Sequence, residues 1–262
     1  MSKYSKKEKN NHNDKKILVF GDSFSNTFKS FKDPNIKVFK YKGATAKGLT
    51  KIDNVNSQDI IKHINEYNKY NEKGCLIFVF GNVDLHFSYY YNLLLQKPFD
   101  MKEIIKLYVQ FVASLEVNKN IKKYICNIYP SAVLNTNVPG QLWNYNIFTK
   151  KFIKENEDLI LEHSNDKLRL ERLNNANTFL KEECIKNNIS FIDINSDIMK
   201  DNTVKSEFID PGIYNIHLRY EPQLKYLKKK ITKCKIINKC SVNASKKYKE
   251  KKILMLKKKP VY

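Results

Sequence analysis

ILVFGDSFSNTF, residues 17–28, runs from four apolar residues straight into Gly21-Asp22-Ser23. A short continuous apolar run that ends on a turn signal suits a strand buried on both faces, as in a parallel sheet. Asp and Ser both favour turns and helix caps, so a turn is one reading of the tripeptide. The other is a serine held at the mouth of a sheet to do chemistry. In that reading Gly21 lets the chain turn sharply. Asp22 braces the loop by hydrogen bonds, and Ser23 opens the next helix with its hydroxyl facing a cleft.

The pattern continues outward from this stretch. IKVFKYKG (36–43) alternates and ends on Gly43, which predicts a strand nearer a sheet edge. NSQDIIKHINEYNKY (56–70) carries apolar residues at helical spacing, and CLIFVFG (75–81) reads as the clearest buried strand. DMKEIIKLYVQFVASLEV (100–117) predicts a helix capped by Asp100, with Glu103 completing a capping box. KKYICNIYP (122–130) is a strand stopped by Pro130, residues 165–188 form a long amphipathic helix, and ISFIDIN (189–195) is a further strand. EPQLKYLKKKI (221–231) reads as a last helix with Pro222 in its first turn. Residues 131–164 are expected to be an irregular insertion near the strand ends.

Strands that alternate with helices predict an α/β fold. The expectation is a single-domain, flavodoxin-like three-layer sandwich, mostly parallel, with helices on both faces. Its span is 17–231, between a disordered basic arm (1–16) and a Lys-rich, disordered tail (232–262).

Charge is concentrated at the two ends. The chain of 262 residues has a formal net charge of +21, of which residues 225–262 carry +14 and residues 1–16 carry +4. A Lys-rich tail can make weak contact with polyanions, nucleic acid or an anionic surface. Only three of the 48 basic residues are arginine: Arg169, Arg172 and Arg219. Recognition of phosphates and bases favours the planar fork of arginine, so the lysines also fit a general compositional bias. Cys75, Cys126, Cys184, Cys234 and Cys240 are odd in number and form no CxxC pair, which argues against a disulfide framework and against zinc. No metal and no cofactor is expected. The polar N-terminus and the lack of a long apolar run predict a cytoplasmic protein without a transmembrane segment.

In a parallel sheet the loops after successive strands share one edge. Here they read Gly21-Asp22-Ser23, then Gly43-Ala44-Thr45, then Gly81-Asn82-Val83-Asp84, and late in the chain FIDPGIYNIHLRY with His217. This order resembles the SGNH hydrolases, the GDSL esterase/lipase family, over about residues 17–225. The resemblance implies that Ser23 is the nucleophile and His217 the base. It implies that the Ser23 and Gly43 N–H groups receive an oxyanion. The family's third block is Gly-x-Asn-Asp and its last is Asp-x-x-His. This sequence holds Val83 at the Asn position and Tyr214 three residues before His217. Asn82, one residue early, is then the candidate third donor, and Asp210, seven residues before His217, the candidate orienting acid. Asp22, Asp84 and His86 are candidate further members, with His86 also readable as an ordinary loop histidine.

The activity implied is that of a serine esterase or acyl hydrolase on a carboxylic ester such as an acetylated carbohydrate. Two alternatives stand beside it. One is an impaired SGNH-fold binding protein. The other is a basic protein tethered to nucleic acid or an anionic surface by its tail.

Overall fold

The computed structural model describes residues 16–233, apart from 52 and 72. Most of the expected basic arm, and the tail from 234 with Cys234 and Cys240, lie outside the described residues. Five parallel strands form the central sheet: β1 (Lys16–Gly21), β2 (Ile36–Lys40), β3 (Lys73–Val79), β4 (Asn120–Cys126) and β5 (Ser190–Ile192). Their spatial order is β2-β1-β3-β4-β5, the doubly wound order of flavodoxin-like folds. β2 is an edge strand, as its alternation predicted.

The reason for continuous apolar strands is visible in β1. Ile17 and Val19 point into one core layer, Leu18 and Phe20 into the other, and all are buried. Period-two alternation is hidden because both faces are covered. One face packs against α1 (Val55–Tyr70), α2 (Met101–Ser114) and the long helix from Asp166 to Lys186. Asn54 caps α1 by accepting from the N–H groups of Asn56 and Ser57. Asp100 caps α2 through Lys102 and Glu103, while the Glu103 carboxylate lies 3.9 Å from Lys106.

Residues 131–164 are not irregular. They fold into α3 (Val138–Asn144), α4 (Lys150–Glu155) and α5 (Glu157–His163), followed by α6 (Asp166–Lys186). Pro139 lies in the first turn of α3, and Thr149 caps α4 by accepting from the Phe152 N–H. The closing helix α7 (Tyr220–Lys233) joins α3, α4 and α5 on the other face of the sheet through Leu224, Leu227 and Ile231.

β5 is shorter than the seven residues expected. Beyond Ile192 the Asp193 side chain accepts from the Asn195 N–H at 2.8 Å and turns the chain out of the sheet. An antiparallel ribbon, Met199–Lys200 with Thr203–Val204, was not anticipated from sequence. Its turn residues, Asp201 and Asn202, both have positive φ, the requirement of a tight hairpin. Among the described residues, no helix is long and apolar enough to cross a membrane.

Candidate active site

All five strands point the same way, so their C-terminal ends share one edge. At that edge β1 releases Gly21. Its φ is not positive, so its need for glycine is not the sharp turn expected from sequence. A Cβ there would lie 2.7 Å from the Val79 carbonyl oxygen and 2.7 Å from the Ser25 Cβ. Only glycine admits the neighbouring strand this closely. Asp22 follows, fully buried, and caps the next turn, with Oδ1 accepting from the Phe24 N–H at 2.9 Å. Burial pushes its pKa up to about 7, against those hydrogen bonds. Ser23 starts a short 3-10 turn that continues into a helical turn over Asn26–Lys29.

The Ser23 Oγ lies 2.7 Å from Nε2 of His217, a residue 194 positions away in sequence. Beyond the pair, the other ring nitrogen of His217, Nδ1, lies 2.9 Å from Oδ1 of Asn215. That oxygen also accepts the His217 backbone N–H at 3.0 Å. A backbone N–H only donates, so the amide of Asn215 is fixed with its oxygen toward the ring. Nδ1 must then carry the proton, and Nε2 is left with a lone pair facing the serine hydroxyl. Phe24 supports the imidazole from below, with ring centroids 4.7 Å apart. Burial holds the His217 pKa down at about 4, with the Lys40 charge acting the same way and Asp210 opposing. The ring is therefore neutral at pH 7.

Asp210 does not hold the ring. Its Oδ1 accepts from the Gly212 N–H at 2.9 Å, and the place of an orienting acid is taken by Asn215. Asp210 reaches His217 only as a nearby charge. Tyr214, at the position of the family's acid, points elsewhere: a Cβ at Gly140 would run into its ring, so it packs on α3. Asn215 was missed from sequence. The signal was present, because Asn two residues before His is the spacing of an Asx turn.

The loop after β3 is devoted to bracing. Asn82 is fully buried, and both ends of its amide are engaged. Nδ2 donates to Asp22 Oδ2 at 3.1 Å, and Oδ1 accepts from the Tyr129 N–H at 2.9 Å. This amide ties the loops after β1, β3 and β4 together. Val83 packs against the core. Asp84 accepts from the Ala46 N–H at 2.6 Å and the Lys47 N–H at 3.2 Å, fixing the loop after β2. Burial raises its pKa to about 6. His86 Nε2 donates to the Tyr129 carbonyl at 2.8 Å, and burial lowers its pKa to about 3. It is a neutral wall residue.

Gly43 sits in the turn after β2 at φ +73°, where glycine is favoured, with open space around its Cβ position. The Tyr41 N–H donates to the Gly21 carbonyl at 2.8 Å, which holds this turn beside the Gly21 loop. No group of three or more His, Cys, Asp or Glu side chains that could hold a metal ion occurs among the described residues.

No protein-family model matches the sequence, and no curated protein matches it either. Solved structures do resemble it. One is Est24, a carbohydrate acetylesterase from Sinorhizobium meliloti, at 12% identity and a TM-score of 0.51 over 84% of this chain and 98% of that one. Another is a protein from Streptococcus pneumonia provisionally described as a platelet activating factor, at 13% identity and a TM-score of 0.50 over 84% of each chain. At these identities the likeness is one of fold. The shared fold is the mostly parallel α/β sandwich that the alternation of strands and helices predicted.

Proposed function

We propose that this protein hydrolyses a carboxylic ester, with Ser23 as nucleophile and His217 as general base. The observation that carries this reading is the 2.7 Å contact between Ser23 Oγ and His217 Nε2, with the far side of the ring held by Asn215. A serine hydroxyl is a weak nucleophile until a base in hydrogen-bond reach takes its proton. Nε2, unprotonated and facing the hydroxyl, is placed to accept that proton as Oγ attacks the carbonyl carbon. The same nitrogen then returns it to the departing alkoxide, and an acyl-serine remains. Water, activated by Nε2 in turn, releases the acid and restores the serine.

The oxyanion formed at each step needs donors. The backbone N–H groups of Ser23 and Gly43 are proposed for this role. Val83 supplies no third donor, and the loss of one donor costs about a hundred- to thousandfold in comparable sites. The enzyme is therefore expected to be slow on unactivated esters. The shared fold with a carbohydrate acetylesterase supports acetylated carbohydrate as the substrate class to try first.

The test is hydrolysis of p-nitrophenyl acetate by the full chain. Wild type is expected to exceed the buffer rate, and Ser23→Ala to fall to it without a change in melting temperature. Equal rates for the two across a panel of acyl esters would replace this reading by that of a binding protein that keeps the fold.

A further inference from the structure

A cavity of about 190 Å3 opens at the same sheet edge, on the side of β4. His86 is one of its walls, whereas neither Ser23 nor His217 lines it. The remaining walls come from Pro130–Leu134, from α3 and α6, and from the 199–204 ribbon, and they are mostly apolar. Two of the chain's three arginines, Arg169 and Arg172, stand in this one wall, in a protein whose other basic residues are almost all lysine. Lysine supplies charge anywhere on a surface. A planar fork that can grip a carboxylate is available only from arginine.

The two arginines have different work. The guanidinium of Arg172 lies 4.1 Å from the centre of the Tyr89 ring and donates to the Tyr89 and Tyr90 hydroxyls and to the His163 carbonyl. Its fork is spent, and it contributes charge. Arg169 is different. Its side chain is only 17% exposed, yet among the described residues it makes a single hydrogen bond, from Nη1 to the Val133 carbonyl at 2.8 Å. The nearest carboxylate, Asp166, is 3.7 Å away and 80% exposed, so it screens the charge weakly. A guanidinium has five donors, and both the Val133 bond and the Asp166 ion pair fall on Nη1.

Gln141 is 2% exposed and lines the cavity, which places a side-chain amide in its wall.

We propose that this cavity is a binding site for a small carboxylate with an apolar body. The fork of Arg169 takes the carboxylate, Gln141 adds a donor, and Leu85, Val138 and Leu173 enclose the body. Arg172 adds attraction at longer range. A cavity of about 150 Å3 is enough for benzene, so this one accommodates a ring or short chain with its carboxylate. A phosphate ester fits less well, because it brings more charge than one free fork can meet. The neutral state of His86 agrees, since the fields of Arg169 and Arg172 add to burial in disfavouring its cation. The site does not depend on ester hydrolysis at Ser23.

The experiment is calorimetric titration of the full chain with benzoate, benzamide and phenyl phosphate. Benzoate is expected to saturate one site, with benzamide and phenyl phosphate weaker by about tenfold or more. Ser23→Ala is expected to bind benzoate as wild type does. Arg169→Gln is expected to weaken it by about tenfold or more, and Arg169→Lys nearly as much, because the fork is lost. Ala132→Phe, which fills the cavity and leaves Arg169 in place, is expected to block it. Four results overturn the proposal: no saturable benzoate binding; equal affinity for benzamide; unchanged affinity in Ala132→Phe; or loss of affinity in Ser23→Ala, which would put benzoate at the reactive serine. Tighter binding of phenyl phosphate than of benzoate would overturn the ligand class. If Arg169→Gln does not fold, Ala132→Phe and the benzamide comparison decide.

Discussion

The loops after β1 and β3 leave the sheet side by side, each opens on a glycine, and each carries a carboxylate shielded from water. They do opposite things. In the first, Asp22 caps its own turn and the next residue, Ser23, is left facing an imidazole. In the second, every polar side chain near the turn is spent on structure. Asn82 joins three loops, Asp84 fixes a fourth, and the residue between them is Val83. On the proposed reading, reactivity sits in the first loop and bracing in the second, and charge formed at Ser23 is met by the backbone N–H groups of Ser23 and Gly43.

The largest effect that would break this contrast is at His217. His217→Ala is expected to lower the esterase rate by about a thousandfold, as removal of a general base from a serine unit does. A loss of less than about tenfold would show that Ser23 is not activated by this ring. The bracing loop predicts stability in place of rate. Asp84→Ala leaves two backbone N–H groups without their acceptor and is expected to cost about 3 kcal/mol in chemical denaturation. An unchanged denaturation midpoint would show that the carboxylate does not hold the β2 loop.

A gain of function sharpens the contrast further. Val83→Asn offers the β3 loop the donor it lacks and is expected to raise kcat about tenfold, below the hundred- to thousandfold that a fully aligned donor gives. No gain, with the variant folded, would mean that the Val83 position faces away from the oxyanion. The smallest effect expected is on pH. With wild type, kcat/KM is expected to fall on the acid side only near pH 4, where His217 takes a proton. Asn215→Asp sets a carboxylate against Nδ1, favours the protonated ring and raises its pKa. Its acid limb should move to higher pH. Identical limbs in the two proteins would show that residue 215 does not touch the base.

What the sequence revealed follows the range of each interaction. Asp22, Ser23 and Gly21 sit within one turn, and their capping pattern is local, so it was readable. The buried strands were readable because burial on both faces leaves unbroken apolar runs such as 17–20 and 75–79. Asp84 binds a loop 37 to 38 residues away, and Asn82 binds partners 47 and 60 residues away. No spacing rule announces such contacts, so the sequence alone does not reveal that the Asn82 amide bridges three loops. Asp210 is what a search for an acid before His217 finds. The ring needed an acceptor with a fixed orientation, and an amide locked by the His217 N–H provides one. Helices α3 to α5 escaped notice because they are six or seven residues long, too short for a periodic signal.

The central claim is that Ser23 is a nucleophile made reactive by His217. Its most direct test is intact-protein mass spectrometry after treatment with a fluorophosphonate, which labels only activated serines. The account predicts a single adduct on wild type, mapped to Ser23, and none on His217→Ala or Ser23→Ala. An unlabelled wild-type protein, or labelling that persists in His217→Ala, would contradict it.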